Sequence, residues 1–134
     1  MRTILLAATA TFLTAITAHA APPPRALIEN SEIRRNAVFG GIQRYEVLQL
    51  APDGTFTGDY QMARPVMRGS AETWSGAMRG RWSFENGELC FEGNGLEYAG
   101  RSCYALTKGG YGKNEWSGIH SRTGDVWRFF ISPR

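Results

Sequence analysis

The sequence predicts an all-β domain: a small antiparallel up-and-down barrel of seven or eight strands, with one short N-terminal helix and one disulfide. Three observations carry this. After Ala37, β-branched and aromatic residues dominate and turn signals recur about every ten residues. The long stretch Thr73–Phe84 alternates strictly between an apolar and a wet face. Two cysteines, Cys90 and Cys103, follow an N-terminal segment of export type, which favours a bridge between them.

Residues 1–20 read as a signal peptide. Met1 and Arg2 lead into an apolar stretch from Ile4 to Ile16, and Ala18-His19-Ala20 is a small-x-small cleavage site before Ala21. The stretch is short for a bilayer span and no second one follows, so the expectation is an exported protein, periplasmic or secreted, without a membrane anchor. Residues 21–24, ending in three prolines, form an extended leader expected to be mobile. Residues 25–134 make a single domain of ordinary size.

From Arg25 to Asn36, Leu27, Ile28 and Ile33 fall near helical spacing, with Glu29 and Glu32 early and Arg34 and Arg35 late, and one short helix is expected there. Beyond it, turns are expected at Pro52-Asp53-Gly54, Glu85-Asn86-Gly87, Lys108-Gly109-Gly110 and Arg122-Thr123-Gly124-Asp125. The strands between them fall near Tyr45–Leu50, Thr55–Met62, Thr73–Phe84, Glu88–Phe91, Arg101–Thr107, Asn114–Ile119 and Val126–Ile131. In Thr73–Phe84 the even positions are Trp74, Gly76, Met78, Gly80, Trp82 and Phe84. Glycines on the apolar face of so long a strand imply bending, a bulge or close approach, the devices that curl a sheet on itself and favour a barrel over a sandwich. Cys90 and Cys103 then lie on neighbouring strands of one hairpin, and their bridge contributes roughly 3 kcal/mol.

Charge excludes more than it suggests. Fifteen basic against twelve acidic residues leave a net +3, about +2 once Arg2 departs, and Arg34-Arg35 and Arg79/Arg81 are the nearest approaches to a cluster. No nucleic-acid partner is expected from so scattered a pattern. Beyond His19 of the signal the only histidine is His120, placed in a turn and expected to be solvated, and no G-x-S-x-G elbow occurs, which argues against a hydrolytic triad. Metal-ligand clustering is missing, so neither metal nor cofactor is expected. Gly109 to Lys113 resembles a phosphate loop but has Thr107 and Asn114 where glycine and Ser/Thr belong. A glycosidase-type carboxylate pair stays open on composition, with solvated strand edges and turns the commoner explanation for the acidic residues.

The aromatic residues are numerous. Most belong in a core, but Trp74, Trp116 and Tyr111 near a barrel mouth could line a pocket for a small ligand or a sugar. Arg79 and Arg81, opposite in face to Trp82, could meet an acidic partner.

Gly80-Arg81-Trp82, Asn86-Gly87-Glu88-Leu89-Cys90 and Cys103-Tyr104, after the Ala37–Gly41 and Pro52-Asp53-Gly54 segments, resemble small exported bacterial β-barrel proteins of unknown function with a "G-x-W … n-G-x-L-C … C" arrangement. The resemblance spans most of residues 36–110 and implies the fold and the disulfide, with no catalytic residue. More distantly, fold and compartment are similar to bacterial inhibitors of secreted proteases and of lysozyme. The functional expectation is therefore a non-enzymatic exported barrel that binds a small ligand, a glycan or an envelope or secreted protein. The alternative is an inhibitor of a hydrolase that presents either Ala21–Arg25 or the Met62–Ala71 loop.

Overall fold

The computed structural model describes residues 21–109 and 112–134. A four-residue helix, α1 (Arg25–Ile28), precedes eight strands: β1 (Ser31–Phe39), β2 (Ile42–Leu50), β3 (Thr55–Arg64), β4 (Glu72–Glu85), β5 (Glu88–Asn94), β6 (Ser102–Lys108), β7 (Glu115–His120) and β8 (Val126–Pro133). Each pairs antiparallel with its sequence neighbour, and β1 pairs with β8 to close the barrel. The predicted architecture is the one observed.

One strand differs from expectation. The helix ends at Ile28, and residues 31–36, expected to continue it, form most of β1. The inward positions of β1 are Ser31, Ile33, Arg35 and Ala37, a set without the hydrophobic alternation by which a strand is recognised. Its turn into β2 is Gly40-Gly41, both at positive φ as a two-residue hairpin requires, and Asn86-Gly87 does the same between β4 and β5.

The even face of β4 points inward at Met78, Trp82 and Phe84, all buried. Gly76 leaves room for the ring of Tyr60, its register partner on β3. Gly80 and Gly93 face each other across β4 and β5, where a methyl on either would collide with the opposite backbone. These two positions fulfil the expected close approach and let the sheet curl.

Phe56, Phe91, Tyr104, Trp127 and Phe129 fill the interior with Ile33, Leu48, Leu50, Leu89 and Ile131. Most inward side chains are apolar and most outward ones polar, with Arg35, Arg44 and Glu46 among the inward exceptions. No helix of the described residues is long and apolar enough to cross a membrane.

The two ends of the barrel differ. At one end α1 and the leader form a cap: Ile28 is wholly buried, Pro23 is buried, Pro22 packs on Gly87, and Arg25 donates to the Phe84 carbonyl at 2.7 Å. The leader is thus anchored from Pro22 onward, against the expectation of a mobile arm. The other end, the mouth, carries the β1–β2 turn, the loops 65–71 and 95–101, and the β7–β8 turn.

Candidate functional site

Beneath the mouth lies a buried ionic cluster. Alternation turns Arg35 inward from β1 and Arg44 and Glu46 inward from β2. Arg35 donates to both Glu46 oxygens at 2.7 and 3.2 Å, with both side chains fully buried. Its guanidinium sits 4.7 to 5.5 Å from the ring centres of Phe91, Tyr104, Trp127 and Phe129, a cage of negative ring faces around a delocalised cation. Arg44 bridges Glu46 at 3.3 Å and Glu97 at 3.2 Å, and donates to the Gly95 carbonyl at 2.6 Å.

These contacts hold loop 95–101 across the mouth. Tyr98 donates to Asp125 at 2.6 Å, keeping that carboxyl below its usual range, and Arg122 donates to the Ala99 carbonyl at 3.0 Å. Burial raises the Glu97 carboxyl, an effect partly offset by Arg44. Burial pushes the Tyr104 hydroxyl up to about 12.

His120 is not the solvated turn residue expected. It closes β7 with its ring inside, 4.0 Å from the Tyr98 ring centre, and burial and then Arg122 lower its pKa. Its Nδ1 accepts from the amides of Thr123 and Arg122 at 3.2 and 3.3 Å, which puts the proton of the neutral ring on Nε2. A triad base needs the reverse tautomer, and Asp125 is engaged by Tyr98 instead. The cluster locks a loop and offers no nucleophile–base pair.

The outer surface is different. β3 and β4 run together for ten register pairs, from Thr55↔Arg81 to Arg64↔Glu72, and an Arg64–Glu72 ion pair clamps the base of loop 65–71. At the tip Met67 is fully exposed and Val66 is 43% exposed. Below the loop, at the mouth end of β2, β3 and β4, lies an open cleft of about 420 Å³ whose lining includes Tyr45, Gln61, Met62, Thr73, Trp74 and Ser75.

The residues singled out from sequence do not converge. Trp74 stands at the mouth rim, 37% exposed, and borders this cleft. Arg79 and Arg81 project outward from β4, away from Trp82, and Arg81 edges a smaller hollow of about 120 Å³ over Cys90 and Arg101. Trp116 is buried near the capped end, with the Lys108 ammonium 4.9 Å above its ring. Tyr111 lies outside the described residues. Cys90 and Cys103 are bonded as directly opposed residues of β5 and β6. Sequence reasoning missed Arg35, Arg44, Glu46 and Glu97, whose charges read as surface; the one available signal was Arg35 two residues from both Ile33 and Ala37.

No protein-family model matches the sequence, and no curated protein matches it significantly. What is established is the class: an all-β protein folded as a closed eight-stranded antiparallel barrel with one disulfide. The bridge suits an oxidising, non-cytoplasmic compartment.

Proposed function

We propose that this protein is an exported, non-enzymatic barrel that binds another protein in the cell envelope or outside the cell, through the tip and outer wall of the β3–β4 hairpin. The observation that carries the reading is Met67, an unbranched apolar side chain held fully in water at the tip of a clamped hairpin, next to Val66 and on the same hairpin as the Tyr45–Trp74 cleft. Met67, Val66, Trp74 and Tyr45 are all exposed on this one hairpin and its β2 neighbour, and clustered exposed apolar groups mark protein-binding surfaces where single ones do not. The packed interior favours a protein over a small ligand in the mouth, because Arg35 and its four aromatic neighbours occupy that space. The signal-like N-terminus and the disulfide support export.

A photo-crosslinking amino acid at position 67, compared with one at Ile119 on the far wall, tests this in cells that export the protein. A discrete adduct at 67 and none at 119 is expected. Equal labelling at both, or none at either, overturns the reading. A hydrolase inhibitor that inserts loop 65–71 into a concave active site is a narrower version, favoured by the full exposure of Met67. The leader version loses support because Pro23 and Arg25 belong to the cap.

A further inference from the structure

The barrel wall is incomplete at one seam. β4 has fourteen residues, but its ladder with β5 runs only from Arg79↔Asn94 to Glu85↔Glu88. After Asn94 the chain turns across the mouth, where Gly95 shields Ala77. Glu72 to Gly76 therefore pair with β3 on one side and, among the described residues, with no strand on the other.

Alternation says which groups face the gap. Trp82 N–H donates to the Gly54 carbonyl on the β3 side at 2.9 Å, and the β3–β4 register is unbroken, so even residues of β4 bond toward β3 and odd residues toward the seam. The amides and carbonyls of Thr73 and Ser75 thus point into open space at an exposed edge. Such an edge recognises an extended strand, and soluble proteins leave few of them bare.

We infer that this edge pairs with the same edge of a second copy, forming a two-fold dimer through an antiparallel β4–β4 ladder. The inference rests on the reading of this hairpin as a protein-binding element and names one partner for it. Glu72–Gly76 is self-complementary about Trp74. Centred there, Thr73 of each copy faces Ser75 of the other, and the two pairs exchange four main-chain hydrogen bonds. The two Trp74 rings then face each other at a non-hydrogen-bonded site, where aromatic pairs are favourable. Glu72 falls opposite Gly76 and already holds Arg64 of its own hairpin, so no like charges oppose. A centre at Ser75 would instead require Ala77, which Gly95 covers.

The test is sedimentation velocity over a wide concentration range, with amide hydrogen exchange, on protein purified after expression of the full chain. A concentration-dependent dimer is expected, in which the Thr73 and Ser75 amides exchange about tenfold slower or more than in the monomer while Trp74 and Gly76 change little. Trp74→Glu sets two carboxylates face to face on a side chain the fold leaves partly exposed, and should shift the species to monomer with an unchanged circular dichroism spectrum. Ser75→Pro removes a seam-facing donor and should do the same. A monomer at every concentration, or a dimer that ignores Trp74→Glu and leaves Thr73 and Ser75 unprotected, overturns the inference. In either case an adduct at position 67 to a different protein would leave the wider binding proposal standing.

Discussion

Arg35 and Glu46 show what a buried charge costs and how it is held. Each is fully buried, so each would carry a desolvation penalty of several kcal/mol if left alone. Two hydrogen bonds between them, four surrounding rings and the second guanidinium of Arg44 offset it. Removal of Glu46 strands Arg35 in an aromatic interior, and removal of Arg35 leaves the buried Glu46 carboxylate with Arg44 as its remaining partner. Arg35→Met or Glu46→Leu alone should lower unfolding free energy by about 3–5 kcal/mol in urea titrations, whereas the double variant should cost well under the sum. Additive losses would show that the two side chains act independently. This part of the molecule was invisible in the sequence for a physical reason. Arg34 and Arg35 are chemically identical, and only the parity of β1 sends one to water and the other inside.

At the scale of the element, β4 is one pattern in two environments. Its alternation was legible because six even positions are apolar or glycine, and strand, face and close approach at Gly80 all follow from that period. The sequence could not show where neighbouring strands stop. Trp82 lies where β5 covers the strand, is 6% exposed, and donates its indole N–H to the Ala51 carbonyl at 2.8 Å. Trp74 has the same parity but lies beyond the end of β5. Trp82→Ala should therefore cost about 3–5 kcal/mol, and Trp74→Ala under about 1 kcal/mol, within the ordinary range for surface substitutions. Thermal unfolding of the two variants at a concentration low enough to keep the protein monomeric measures the contrast. Equal losses would place both rings in one core and remove the edge. β1 was illegible for the opposite reason: its inward set of Ser31, Ile33, Arg35 and Ala37 mixes polar and apolar residues, so Leu27, Ile28 and Ile33 read as a helical stripe.

For the whole molecule, closure of β1 on β8 removes the sheet edges except along Glu72–Gly76 of β4, and leaves two ends to be sealed. The mouth is sealed by charge through Arg44 and loop 95–101, and the other end by apolar packing of Ile28 under a short helix. A four-residue helix has no stability of its own, so α1 exists because the barrel end takes up Ile28, and the barrel end stays dry because α1 is there. The N-terminal segment is then part of the cooperative fold. Ile28→Ala should destabilise the entire barrel by roughly 2–5 kcal/mol in one transition, detected alike by tryptophan fluorescence and far-ultraviolet circular dichroism. Arg25→Ala, whose side chain is half exposed and whose ion pair with Glu29 lies at the surface, should cost about 1 kcal/mol or less. If Ile28→Ala left the main transition unchanged, the segment would be an appendage that the barrel does not need. The leader would then be available again as an arm for engaging another protein, and the weight now placed on the hairpin at Met67 would have to be shared with it.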